Sequence, residues 1–277
     1  HNNLGLILRD LGNLEEAAVA ERKGIDLSFI QNIDYHTRDN CIQNLDLSKS
    51  QFRQDLFALS ELNFKRNGFF VEFGSCDGIV GSNSYLLEKV FNWNGILAEP
   101  GLYWHSKLKK HRSVNIETNC VWRISDKEIL FNETDQYKQL STIDAFSESD
   151  HAGQYRKEGN KYSVKTISLL DLLRKYNAPE YIDYLSIDTE GSEYEILESF
   201  DFSQYKFRVI TCEHNFTAAR EKVYELLIRK GYERKLTQIS RVDDYYMMRE
   251  MIKRRFKNIK ILDDIELPDL IVIDGGK

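Results

Sequence analysis

The chain has 277 residues, with 38 Lys+Arg against 44 Asp+Glu, a net charge of -6, and 42% hydrophobic residues. That size can bury a sizeable core as one large domain plus a small appendage. Mean hydropathy is -0.50, and no run approaches the ~18 apolar residues of a membrane span. The acidic balance disfavours a dominant nucleic-acid surface, since counterion release calls for a basic face. Cys41, Cys76, Cys120 and Cys212 lie far apart without metal-type pairing, which predicts reduced thiols in a cytoplasmic protein. The opening His1-Asn2-Asn3 carries no basic region before an apolar stretch, so no secretory signal is expected.

Residues 1–46 read as a helical hairpin. Leu4, Leu8, Leu11, Ala17, Ala18 and Ala20 keep helical spacing, and Gly12-Asn13 interrupts two halves. The spacing of Leu4, Gly5, Leu8, Gly12, Ala17 and Gly24 resembles a tetratricopeptide repeat, a unit in which small residues let two helices approach closely. A single copy cannot bury its faces, so the segment is expected to be the last repeat of a longer array, with a protein partner conceivable upstream. Residues 28–50 show no period and read as connecting structure. Residues 48–68 read as a helix with Phe52, Leu56, Leu59 and Leu62 on one stripe and Gly68 ending it.

From Phe69 the pattern alternates short apolar runs with amphipathic stretches, the signature of an α/β sheet covered by helices on both faces. Strands are predicted over 69–73, 95–98, 114–121, 181–187, 207–212, 232–238 and 243–248. Helices are predicted over 83–91, 103–111, 168–176, 191–199 and 217–230. This catalytic body is placed at 47–250, followed by a tail, 251–277, expected to hold a charged surface helix and an edge strand. Residues 134–163 read as a long insertion that could cover an acceptor, with His151, Tyr155 and Arg156 reaching inward.

Ligands of such sheets sit beyond the strand C-termini, so the polar tips carry the chemistry. At the first tip, Glu72-Phe73-Gly74-Ser75-Cys76-Asp77-Gly78, Gly74 permits a tight turn. The dinucleotide fingerprint is absent, and Asp77 would repel a pyrophosphate, whereas Glu72 and Asp77 suit a cationic amine. Glu99, about 20 residues on, has two oxygens to match a ribose diol. Asn119 would lie near an adenine. The richest tip is Asp188-Thr189-Glu190-Gly191-Ser192-Glu193. There Glu193 suits a helix N-terminus, while Asp188 and Glu190 are crowded carboxylates able to act as base, metal ligand or amine partner. The last tip, Glu213-His214-Asn215, adds an acid and an imidazole.

These stretches resemble the FkbM family of S-adenosylmethionine-dependent methyltransferases. The carriers are SKSQFRQDLF (48–57), GFFVEFGSCDGIVGSNSYLLEK (68–89), WNGILAEP (93–100), VKTISLLDLL (164–173), IDYLSIDTEGSEYEIL (182–197) and VITCEHN (209–215). The resemblance implies the class I methyltransferase fold, a Rossmann-like seven-stranded sheet with its last strand antiparallel. It implies that Glu72 and Gly74 cradle the methionine part of the cofactor, that Glu99 holds the ribose, and that Asp188 and Glu190 flank the transferred methyl. Cys76 departs from the glycine of many methyltransferases. Known members favour hydroxyl acceptors on sugars or secondary metabolites, which implies O-methylation with His214 or Asp188 as base. Cofactor contacts are expected from Glu72, Gly74, Ser75, Asp77, Gly78, Glu99 and Asn119. Oxygen ligands from Asp188 and Glu213 would also suit Mg²⁺, although no metal is expected to be needed. Two rival readings stand beside this one: a nucleotide-sugar or NAD-dependent enzyme, and a non-catalytic repeat-linked binding module.

Overall fold

The computed structural model describes residues 13–213, 217 and 219–235, and the backbone of 270–274. The first helical half, residues 1–12, lies outside the described residues, as do strand 243–248 and the tail's surface helix. Helix α1 (Leu14–Asn32) starts directly after Asn13, and α2 (Tyr35–Asn44) follows, with Asp34 accepting the His36 N–H. Residues 28–44 are thus largely helical rather than connecting structure. The pattern hides this because α2 is polar throughout and buries only Thr37 and Cys41. The predicted helix 48–68 shortens to α3 (Gln54–Glu61), bounded by left-handed residues at Arg53 before it and Asn63, Phe64 and Asn67 after it.

The sheet core is built from β1 (Phe69–Phe73), β2 (Asn94–Ala98), β3 (Asn115–Glu117), β8 (Tyr181–Ile187) and β9 (Lys206–Glu213). Between them come α4 (Tyr85–Lys89) and α5 (His105–His111) early on, then α7 (Leu169–Lys175) and α8 (Glu193–Glu198). Helix α9 (Ala219–Arg229) leads to β10 (Glu233–Lys235), and β11 (Leu270–Asp274) completes the order β10-β11-β9-β8-β1-β2-β3. Every pairing in this sheet is parallel, including Leu270↔Val209 and Glu233↔Leu270. Strand β11 therefore lies inside the sheet instead of at its edge, and the antiparallel last strand is not found among the described residues.

Parallel strands buried on both faces read as unbroken apolar runs. Val71, Phe73, Ile96, Leu185 and Ile210 pack with Leu172, Leu197 and Leu227 on one side. Phe70, Leu97, Tyr184 and Val209 pack with Phe29, Ile33, Leu56 and Leu87 on the other, so α1 and α3 share the sheet's own core.

The predicted strand 114–121 divides. Glu117 accepts the N–H groups of Thr118 and Asn119, which turns the chain out of the main sheet into β4 (Cys120–Trp122). A second sheet, β4-β7-β5-β6, combines β4 with β5 (Glu128–Glu133), β6 (Thr142–Ile143) and β7 (Asn160–Ser168). The 134–163 insertion is therefore largely ordered, with α6 (Gly153–Arg156) between β6 and β7.

After β1 the chain builds outward through β2 and β3, then returns to the opposite side of β1 as β8. The order reverses between β1 and β8, the position where a crevice forms in such sheets. Their tips nearly touch there. A side chain at Gly74, whose φ is +71°, would lie 1.9 Å from the Asp188 carbonyl oxygen, so only glycine fits.

Candidate functional site

A cleft of about 900 Å³ opens at this switch point. Gly74 to Asp77, Glu99, Asp188, Glu190 and Glu213 line it from the strand tips, and Cys120, Val121 and Phe131 from the second sheet. Arg22, Lys49, Gln51 and Phe52 close one side. The sequence-predicted residues Glu72, Gly78 and Asn119 are not among the lining residues.

Glu72 instead sits behind the first turn. Its carboxylate accepts the Asn83 N–H at 2.7 Å and the hydroxyls of Ser82 and Ser84, with Arg112 4.0 Å away. Arg112 adds bonds to the Gly78 carbonyl, Ser82, Ser84 and Glu88, which fixes the return from the turn into α4. Gly78 packs on Leu108 and Arg112. Asp77 lines the cleft while one of its oxygens accepts the Ile79 and Val80 N–H groups. Cys76 occupies a left-handed conformation (φ 48°) that glycine takes more readily. The Ser75 hydroxyl is buried at the cleft wall without a hydrogen-bond partner among the described residues.

Glu99 joins the β1 and β2 tips. One oxygen accepts the Cys76 N–H and the other the Gly101 N–H, each at 2.8 Å. Burial raises its pKa to about 7 against those two bonds, and Glu133 and Asp188 push the same way. Each oxygen keeps further lone-pair capacity toward the cleft.

The carboxylates of Asp188, Glu190 and Glu213 offer oxygens within 4.8 Å of one another. Burial raises all three pKa values, Glu190 to about 8, where Asp188 adds repulsion and Arg156 opposes it. A hydrogen bond links Asp188 and Glu213, and burial raises both, so the two carboxyls share a proton as a pair. Glu190, at φ 58°, is held by Arg156, whose Nη2 donates to Oε2 at 2.8 Å. Arg156 also donates to Asp150 and the Leu140 carbonyl and is 1% exposed. It reaches inward from the insertion, as does His151 at the cleft wall, while Tyr155 is exposed against Tyr137. Glu193 accepts the Thr189 and Gly191 N–H groups and shapes the tip. His214, the predicted imidazole, lies outside the described residues.

These raised pKa values predict a pH dependence of stability. The folded chain keeps protons that the unfolded chain releases near its ordinary carboxyl range. That contribution is fully present below the unfolded values of 4.5, and is lost as pH rises through about 7 for Glu99 and about 8 for Glu190. At about 1.4 kcal/mol per pKa unit, the ligand-free protein should lose several kcal/mol between pH 5.5 and 8.5. Thermal melts should show Tm falling by roughly 10 °C across that range. A flat or rising Tm would contradict the buried-acid arrangement.

Residues 72–258 match the methyltransferase FkbM domain family. The chain belongs to this family. Among curated proteins, it is 25% identical to the UvrABC system protein C of Aquifex aeolicus over 255 residues, 87% of this chain and 38% of that protein. Two further UvrABC system protein C sequences match over 50 residues, 18% of this chain. The one from Streptococcus uberis is 44% identical over 8% of its length, and the one from Methanococcus maripaludis 42% over 9%. The chain thus spans well under two thirds of these relatives. No solved structure matches. Among the described residues, no helix is long and apolar enough to cross a membrane.

Proposed function

We propose that this methyltransferase uses S-adenosylmethionine and methylates a hydroxyl of a sugar, glycan or secondary metabolite. The observation that carries the reading is the acid-floored cleft where Asp188, Glu190 and Glu213 converge beside Glu99. A cationic sulfonium and an ammonium suit that floor, whereas a pyrophosphate would be repelled. The buried Ser75 hydroxyl, without a partner among the described residues, offers a contact to a bound group at the Gly74 turn. Glu99 would hold the ribose diol, Gly74 and Ser75 the close approach, and Asp77 and Asp188 the cationic end. Glu72 would act from behind by fixing the turn. The strand order is compatible with the class I arrangement in its central members. The cofactor supplies a methyl group already activated for displacement.

The chain's own task is to orient the acceptor hydroxyl and take its proton. Asp188, in its proton-sharing pair with Glu213, serves as base, with His214 the alternative. Glu190, tied to Arg156, positions the tip. A repeat array upstream of α1 would bind a protein partner, and the four free cysteines suit the cytoplasm.

The test is transfer of labelled methyl from S-adenosylmethionine to a panel of glycans and small hydroxyl compounds. A labelled, base-stable ether product is expected, and no product with any acceptor would count against it. Glu99→Ala should weaken S-adenosylhomocysteine binding by about a hundredfold, because it removes a charged acceptor and frees the turn. Unchanged affinity would remove Glu99 from the ribose. The three clustered carboxylates could instead hold Mg²⁺. Arg156 and the shared proton already offset their charge, so a chelator should leave turnover unchanged; loss restored by Mg²⁺ would favour the metal.

A further inference from the structure

The family match begins at residue 72, yet one wall of the cleft comes from before it. Arg22 of α1 and Lys49 line the cleft together with Gln51 and Phe52. Gln51 and Phe52 also border a small recess formed by Asp188, Thr211, Cys212 and Glu213. Arg22 and Lys49 thus line the same cleft as the acid pair, and Arg22 grips the carbonyl of Gln51, a residue that also borders the Asp188–Glu213 recess.

Arg22 is held in place by neutral groups. Its Nη1 donates to the carbonyls of Ser50 at 2.9 Å and Gln51 at 3.1 Å, and Nη2 to that of Ser48 at 3.5 Å. Its acidic neighbour, Asp26, lies 3.9 Å from Nε but only 2.6 Å from the buried Arg53. The two guanidinium groups thus share Asp26, with the buried Asp55 acting on both from beyond hydrogen-bond range. Burial and Arg53 lower the Arg22 pKa, and Asp26 and Asp55 only partly offset them. The strip that carries Lys49 is fastened to the first turn: Ser50 bridges to Gly81, the Gly81 N–H donates to the Lys49 carbonyl at 3.1 Å, and the Ser50 hydroxyl bonds to Asn83.

We infer that Arg22 and Lys49 form a carboxylate subsite for the amino-acid end of the cofactor, supplied by the helical segment that precedes the family domain. That end is a zwitterion. Its ammonium fits the Asp188–Glu213 floor, and its carboxylate needs a cation within a few ångströms of that floor. Arg22 and Lys49 line that same cleft, and the guanidinium, rigid and always charged, suits a carboxylate. The inference rests on the S-adenosylmethionine reading above.

Calorimetry on the whole chain separates the two. S-adenosylhomocysteine carries the carboxylate; 5′-methylthioadenosine lacks both the carboxylate and the ammonium. Arg22→Gln and Lys49→Gln should each weaken S-adenosylhomocysteine binding by about tenfold or more, while 5′-methylthioadenosine binds each variant as it binds the wild type. Lys49→Gln guards against disturbance of the 48–51 carbonyls that Arg22 gathers. Unchanged S-adenosylhomocysteine affinity in both variants would overturn the subsite. An equal loss for both ligands would also overturn it, and would make Arg22 a structural tether. If the wild type binds neither ligand, the cofactor reading itself fails and the subsite with it.

Discussion

Asp188→Asn is expected to reduce methyl transfer by about 10²- to 10⁴-fold, the range for removing a positioned general base. The substitution keeps the shape of the tip. An asparagine amide can donate to Glu213, replacing the proton that the Asp188–Glu213 pair shares. It also deletes one buried acid whose pKa is raised by desolvation. Folding stability above pH 7 should therefore hold or rise while turnover collapses. Because the contact to the sulfonium weakens as well, S-adenosylmethionine should lose more affinity than S-adenosylhomocysteine, whose sulfur is neutral. His214→Ala gives the comparison: a similar loss would assign the base to the imidazole, and full activity in both variants would remove the proton-transfer role from these tips. Single-turnover kinetics with calorimetry separates chemistry from binding.

Arg156→Met is expected to be the most damaging change to the fold around the site. Its side chain is fully buried and donates to Asp150, Glu190 and the Leu140 carbonyl at 2.7–2.8 Å. Methionine fills much of the volume but leaves two buried carboxylates without their cation. Breaking such a group by removing one partner costs about 3–5 kcal/mol, a Tm loss on the order of 10 °C for a chain of this size. The cost should be smaller at pH 6, where Glu190, already raised to about 8, is mostly protonated. Thermal melts at pH 6 and pH 8.5 check both statements. A Tm shift under about 2 °C at pH 8.5 would mean that the Arg156 network does not brace the Glu190 tip.

The parts of this molecule that were legible in its sequence share one physical property. Strands β1, β2, β8 and β9 are buried on both faces, so each is a continuous apolar run ending at a polar tip. That pattern marked both the strands and the residues at their ends, including Gly74, Glu99, Asp188, Glu190 and Glu213. The second sheet was missed because β5 is buried only over its second half and β7 largely on alternate residues. In β7, Val164 and Thr166 alternate with exposed Ser163 and Lys165, a period-2 signal diluted by the charged residues around it. Glu72 shows a different limit. Its type and place suited a ligand contact, but whether a strand residue faces the cleft or the turn behind it depends on partners such as Asn83 and Arg112, supplied later in the chain. Arg22 carried no signal at all: a cation on a helix looks solvated until the fold brings residues 48–51 against it.

The central claim, that the acid-floored cleft binds a sulfonium nucleoside rather than a phosphate-rich cofactor, is tested most directly by calorimetric titration of the wild-type chain with S-adenosylhomocysteine and with NAD. Saturable binding of S-adenosylhomocysteine at one site per chain is expected, with no detectable heat from NAD. Binding of NAD in its place would contradict it, and binding of neither would point to a module that no longer holds the cofactor.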